Sequence, residues 1–506
     1  MTVFKTTLLA ATALTLLTGA ALAGSNNETF IYQGDGAGRG VAVSGNSAVV
    51  LQTGDSNKAG SDAQNLLQNG TDSTITVKQS GNENRVGLEG VGVEQYGANN
   101  TLSVTQTSNG NNVGQVVQNG ATGGAATRNV LTITQGGEGS NTVELVGQAK
   151  DQTGEKNSGT IQQAGKGNKV SGLIQYGAGN TATLTQSGVE GAVNVYQEGL
   201  GNTDTVTQAG IKNVAVSTTI GDGNTTTVRQ DGKGANATIF TNGNKNKIGI
   251  TQGFWGTKDV ASVELYRSDS NSLNVTQFGT NTASISGADI SNNIISATQI
   301  QNNTLNIDLK SANGNVVNLG QLGTNLASVT ILDSGSNDVW FTQDGSSNQF
   351  DVIAKGSANS NNLASQQFGA KNIGNITFQG GDKNTLSTFQ TGPHNQITAL
   401  LEGSENNAKT SIDLGNASGS LSGYTKVTFT KGALFQSGTN NVVDLNVAGS
   451  KNAFATVQVG DFNKIDAKIG GNRNAAVVVQ TSNFNSASFQ QNGNGNTVAV
   501  FQGNVK

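Results

Sequence analysis

From about residue 46 to the C-terminus, apolar and polar positions alternate in short runs, and most runs open on an Asn and close on a Gln. In the stretch from Asn180 to Gln186, the residues Asn180, Ala182, Leu184 and Gln186 fall two apart, with Thr181, Thr183 and Thr185 between them. Side chains two apart share one face of a strand. The spacing therefore predicts strands that turn Asn, two apolar residues and Gln inward and a row rich in Thr, Ser, Ala or Val outward. Asn100-Leu102-Val104-Gln106 and Asn441-Val443-Leu445-Val447 repeat the inward row. The outward residues are often β-branched, which suits an exposed strand face.

Each strand is followed by x-Gly-x-x, a turn whose Gly takes positive φ without steric cost and whose tip carries Gly, Asn, Asp or Lys. The whole unit, Asn-x-φ-x-φ-x-Gln-x-Gly-x-x with φ apolar or Thr, is eleven residues long. Its half-motif Gln-x-Gly-x-x-Asn supplies the pairs Gln52/Asn57, Gln79/Asn84, Gln95/Asn100, Gln163/Asn168, Gln175/Asn180, Gln197/Asn202 and Gln208/Asn213 in the first half of the chain. Gln343/Asn348, Gln367/Asn372, Gln379/Asn384, Gln390/Asn395, Gln436/Asn441, Gln458/Asn463 and Gln491/Asn496 supply the rest, and Gln480 and Asn485 continue the last run. The matching turn glycines are Gly54, Gly81, Gly97, Gly165, Gly177, Gly199, Gly210, Gly345, Gly369, Gly381, Gly392, Gly438, Gly460 and Gly493. A unit this short cannot bury a core alone, so copies must stack. Two units make a coil of about 22 residues, and the predicted fold is an all-β, amyloid-like β-solenoid. Inward amides would be costly unpaired; stacked at ~4.8 Å, those of successive coils satisfy one another as Gln and Asn ladders and fix the register.

Composition agrees with this reading. The chain carries 70 Gly and one Pro, whereas disordered linkers combine the two; Pro cannot donate to a strand ladder, and Pro393 sits in a predicted turn. A net charge of −4 over 506 residues gives no field that would hold nucleic acid or anionic lipid. Residues 1–23, with Lys5, the apolar run Leu8 to Leu17 and Ala21-Leu22-Ala23, read as a secretory signal peptide. No other segment is expected to enter a membrane. The remainder has neither Cys nor Met, so ladders rather than disulfides must stabilise it outside the cell.

Along the chain, residues 24–45 read as an irregular lead-in and 46–506 as one continuous solenoid with insertions near 253–262 and 404–430. From about 263 to 340 the repeats degenerate: Gln277-x-Gly279 and Gln321-x-Gly323 have short turns, and Lys310 stands where Gln is expected.

The half-motifs at Gln95, Gln163, Gln208, Gln458 and Gln491 resemble the curlin repeat, and the resemblance covers most of the chain. It implies a secreted structural subunit that polymerises with itself into curli-like amyloid fibres for adhesion to host or abiotic surfaces and for biofilm matrix. The implied partners are an outer-membrane curli secretion pore and a nucleator subunit. Two departures, the chain's length and the frequent placement of the second motif Gln six residues after Asn, leave open a nucleator or a non-polymerising solenoid adhesin.

Catalysis has little to stand on. The single His394 lies at a turn tip, there is no Cys, and no Ser-His-acid set can recur from one His. No catalytic residue, metal site or cofactor is predicted. Asp55, Lys166, Lys212, Asp382 and Lys383 fall in turn tips, where charge keeps a sticky array soluble. Phe254 and Trp255, with Trp340 and Tyr424, are read as packing onto the solenoid rather than as a carbohydrate surface. The Thr-rich outward rows are too varied, with Arg229 and Phe501 among them, to form one regular lattice-binding face.

Overall fold

A computed structural model describes residues 24–34, 44–61, 63–87, 92–119, 129–149, 156–253, 258–333, 335–356, 358–407 and 432–503. The expected signal peptide and parts of both insertions (254–257 and 408–431), with Phe254, Trp255 and Tyr424, lie outside these residues. The chain is an all-β parallel solenoid, without helix among the described residues, and divides into two compact units, residues 1–259 and 260–506.

In unit 1, strands pair with strands one coil away rather than with their sequence neighbours. Thr181–Gln186 pairs with Ser158–Gln163 on one side and Thr203–Gln208 on the other, while Lys169–Ala178 and Ala192–Leu200 pair with each other. Two stacks of parallel strands result, and the inward residues of both meet in a dry core. Leu102, Val104, Leu131, Ile133, Ile161 and Leu184 from one stack are fully buried, as are Val143, Val146, Val170 and Leu173 from the other. Burying each such side chain is worth roughly 1.5–3 kcal/mol.

In unit 1 the predicted coil of about 22 residues holds from Gln175 and Gln186 onward, where successive ladder glutamines are 22 apart. Earlier spacings vary, from 23 at Gln95 and Gln163 through 27 to 30 at Gln52, Gln106, Gln118 and Gln135 to 35 at Gln33. The pairing Thr101–Gln106 to Val130–Gln135 nonetheless keeps every residue in register, so the extra length sits in the turns. The lead-in is not irregular throughout, because Glu28–Thr29 pairs with Lys58–Ala59 and Ile31–Gln33 with Leu66, Leu67 and Gln68. The solenoid therefore begins ahead of residue 46.

Unit 2 is built the same way. Ser272–Gly279, Ile294–Gln301 and Val316–Ser328 stack in register straight through the stretch whose repeats look degenerate. The second insertion is absorbed between Gln390 and Gln436, which are 46 residues apart in sequence and adjacent in the stack. Lys310 does not occupy the inward position. Leu309 does, fully buried, while Lys310 is exposed with φ 52°. Counting in twos from Asn303 lands on Leu309, so parity overrides the sequence motif.

Candidate functional site

The repeated motif resolves into two kinds of amide ladder with different wiring. In the glutamine ladders the side-chain amides bond directly. From Gln52 through Gln79, Gln106, Gln135, Gln163, Gln186, Gln208 and Gln230 to Gln252, each Nε2 donates to the Oε1 of the next coil at 2.8–2.9 Å. A second ladder in unit 1 runs Gln33, Gln68, Gln95, Gln118, Gln148, Gln175, Gln197 at 2.7–3.0 Å. Among its described residues unit 2 keeps one glutamine ladder, from Gln277 through Gln343, Gln367, Gln390, Gln436, Gln458 and Gln480 to Gln502. All bonds point the same way along the chain, so each ladder is polar.

Asparagine adds bonds to the backbone. The N–H of Asn202 donates to Asn180 Oδ1 at 2.9 Å, and that of Asn224 to Asn202 Oδ1 at 3.0 Å. Asn180 Nδ2 meanwhile donates to the Gly199 carbonyl of the next turn at 2.9 Å and to its own turn at Tyr176. Many of these asparagines also bond amide to amide, as Asn224 Nδ2 does to Asn202 Oδ1 at 3.1 Å and Asn293 Nδ2 to Asn271 Oδ1 at 2.9 Å, so the column clips both backbone and side chain. The same N–H to Oδ1 link joins Asn57 to Asn84 and, in unit 2, Asn348 to Asn372 and Asn372 to Asn395. It continues from Asn361 to Asn384 and from Asn441 through Asn463 to Asn485. Asn100 and Asn168 accept from Asn129 and Gly191, and Asn213 from Ala235.

Two motif glutamines lie outside the ladders. Gln379 is exposed, and its Oε1 accepts from Lys355 Nζ at 3.0 Å. Phe378 is buried in its place. In the stack joining Ile373–Thr377 to Gln396–Glu402, the corresponding inward residues are Leu401, Val447 and Ile469. An apolar column takes the Phe and expels the amide. Gln491 is buried, but its register partner is Ile469; its Nε2 donates to the Ala475 carbonyl at 3.1 Å, and its Oε1 has no partner. Asn496, on the outermost described coil, is exposed, with its N–H bound to Asn474 Oδ1 at 2.9 Å.

The turn glycines are required for two reasons. Gly54, Gly81, Gly97, Gly177, Gly199, Gly345, Gly369, Gly381, Gly392, Gly438, Gly460 and Gly493 have φ between 80° and 137°, where other residues are strained. Gly165 and Gly210 lack positive φ, against expectation. A Cβ on Gly210 would overlap the Gly232 carbonyl oxygen, and one on Gly165 that of Gly188. Backbones of successive turns approach too closely for any side chain.

A third ladder on the turn tips escaped sequence reasoning. Asp55 Oδ1 accepts the N–H of Ser25 at 2.7 Å, and this bond holds its carboxyl below the usual range. Asp55 N–H in turn donates to Asn82 Oδ1, as Asp222 does to Asn244 and Asn472 to Asn494, each at 2.8 Å. Asp382 Oδ1 accepts from Asn359. The signal was present: Asp, Asn or Ser directly follows the turn Gly in Gly54-Asp55, Gly81-Asn82, Gly221-Asp222, Gly403-Ser404 and Gly471-Asn472. The following residue takes a left-handed conformation, as at Lys212 (56°), Lys383 (60°) and His394 (61°). Lys212 pairs with Glu190 at 3.3 Å on the surface, and Trp340 is half exposed on an outward row.

The outermost described coil of unit 2 is open on one side. Thr497–Gln502 pairs in register with Ala475–Gln480, and among the described residues nothing pairs its other edge. Gln502 accepts from Gln480 at 2.7 Å and donates to the Ser486 carbonyl at 2.8 Å, which leaves one of its two amide protons free to extend the ladder. No group of three His, Cys, Asp or Glu able to hold a metal ion occurs among the described residues, and among them no helix is long and apolar enough to cross a membrane.

No curated protein matches the chain. The family of the curlin-associated repeat matches residues 70–107 and 221–253. Both stretches lie in unit 1 and hold ladder residues, Gln79, Gln95 and Asn100 in the first and Asn224 and Gln230 in the second. The solenoid is thus one that carries curlin-associated repeats.

Proposed function

We propose that the chain is a secreted structural subunit that assembles end to end into curli-like extracellular fibres for surface adhesion and biofilm matrix. The observation that carries this reading is that no described strand pairs the outer edge of Thr497–Gln502, which presents a strand edge and a half-used glutamine to another copy. Such an edge, without Pro or inward charge, is a template for strand addition. The polarity of the ladders favours a head-to-tail contact, the kind that propagates instead of closing. In this reading the protein is structural rather than catalytic, leaves the cell by its signal peptide and an outer-membrane secretion pore, and starts growing on a nucleator.

The test is to dilute the chain lacking residues 1–23 from denaturant and follow thioflavin fluorescence with electron microscopy and fibre diffraction. Fibres with a reflection near ~4.7 Å along the axis are expected. A discrete monomer that persists for days and is not seeded by preformed material would overturn the proposal and favour a solenoid adhesin.

A further inference from the structure

The second glutamine ladder of unit 1 ends abruptly inside the solenoid. Gln197 accepts from Gln175 at 2.8 Å, but its register partner in the next coil is Thr219, and the one beyond is Thr241. Facing this end from the opposite stack is Asp204, whose neighbours above and below are Ala182 and Thr226. Asp204 is fully buried. Thr219 Oγ1 lies 3.2 and 3.4 Å from its two carboxyl oxygens. Around it, Ser217 Oγ, Thr226 Oγ1 and Thr241 Oγ1 are buried without a well-formed hydrogen bond. The inward residues of the strands packed against it, Thr181–Gln186, Thr225–Gln230, Ala192–Leu200, Val214–Ile220 and Asn236–Asn242, include no titratable or charged side chain; Arg229, Glu198 and Lys247 point outward.

A carboxylate here would meet only neutral hydroxyls and an amide, without a cation to balance it, which is the costly way to bury charge. A neutral acid would fit, since its O–H could serve one of the unpaired oxygens and its C=O could accept from a hydroxyl. We propose that this cluster is a proton-dependent latch: the coils around Thr203–Gln230 close when Asp204 is neutral and loosen when it loses its proton. Acidification of the surroundings therefore favours the closed solenoid. Burial pushes the carboxyl from 3.8 up to about 7, against the opposing pull of Thr219, Thr226, Ser217 and Gln197.

The direction follows from linkage. The folded state holds the proton to higher pH than the unfolded state, so the stability it contributes is complete below about 3.8, drains away as pH rises toward 7, and is gone above. Between pH 5 and pH 8 the opening equilibrium of these coils should rise roughly 100-fold.

Hydrogen exchange on the freshly diluted full chain, wild type against Asp204→Asn, tests this, because the ratio of the two at each pH cancels the intrinsic chemistry of exchange. The expected result is a ratio that grows about 100-fold from pH 5 to pH 8 in Thr203–Gln208 and Val214–Ile220, and stays flat in Ile294–Gln301 of unit 2. An unchanged ratio would overturn the latch. If Asp204→Asn does not fold, Asp204→Thr, which copies Thr226 of the next coil, serves instead. Wild-type pH dependence in that variant would equally overturn the proposal.

Discussion

Gln208 and Gln379 occupy the same place in the same sequence motif, yet truncating them should have very unequal consequences. Gln208 is buried; its Nε2 donates to Gln230 Oε1 at 2.8 Å and to the Ala192 carbonyl at 3.1 Å, and its Oε1 accepts from Gln186 at 2.9 Å. Gln208→Ala removes the middle of a ladder and leaves the donor of Gln186 and the acceptor of Gln230 facing a void. At about 1–3 kcal/mol for each orphaned group, the loss is about 2–6 kcal/mol before any cavity term. Gln379→Ala removes one exposed contact with Lys355, worth less than about 0.5 kcal/mol. Long arrays do not unfold in one step, so the assay is local: hydrogen exchange of Thr181–Gln186 and Thr225–Gln230 for the first variant, Ile373–Thr377 for the second. Since 1.4 kcal/mol is tenfold, Gln208→Ala should raise local opening by at least about 30-fold and Gln379→Ala by less than about 3-fold. Comparable effects would refute the assignment of inward and outward faces on which the ladders rest.

Other substitutions probe the remaining parts. Gly210→Ala, which drives a Cβ into the Gly232 carbonyl, should speed local hydrogen exchange of Thr203–Gln208 far more than Gly201→Ala, where φ is 66° but nothing lies within 4 Å; the second should cost about 1 kcal/mol of left-handed strain and the first at least ~2 kcal/mol more. Asn202→Asp keeps the oxygen that accepts from Asn224 but points a second one at the Gly221 and Glu198 carbonyls, so it should destabilise by over ~2 kcal/mol at pH 7 and recover in part when acidified, as followed by hydrogen exchange of Thr203–Gln208 relative to wild type at each pH. Val498→Lys with Val500→Asp places unpaired charge on the inward row of the open coil; a folded β-rich monomer that slows wild-type growth is expected, and fibres at the wild-type rate would show that this edge is not the docking surface.

The strand period, the inward rows and the turn glycines were legible because they depend only on spacing within one unit. What failed depends on the neighbouring coil. Gln379 carries the motif letters, but Asn372 and Asn384 are twelve residues apart where eleven is usual, and Gly380 absorbs the extra residue at φ 111°. Parity counted from Asn372 then selects Phe378, and an apolar column waits there to receive it. Gln491 has the right parity but stacks on Ile469, a fact held 22 residues away. The turn ladder of Asp55, Asn82 and their kin was visible as a recurrence yet read as solubilising charge, because an exposed polar residue has an adequate explanation in isolation. Asp204 broke an apolar row in plain sight; only the three-dimensional end of the Gln197 ladder gives it a role.

Unit 2 shows what an amide ladder is for. In one of its inward columns Leu401, Val447 and Ile469 stand where unit 1 has glutamines, and the backbone still pairs in register. Stacking therefore does not require side-chain amides; main-chain bonds and apolar burial suffice for cohesion. An apolar column is nevertheless tolerant of a slip along the strand, since one aliphatic side chain packs nearly as well as another. An amide column is not, because a slip leaves every Gln in it without donor or acceptor in a dry interior. The surviving ladder from Gln277 to Gln502 thus carries specificity for a unit whose other column carries only cohesion. It is also this ladder, and not the apolar column, that reaches the open edge at Gln502, where any incoming strand has to find its register.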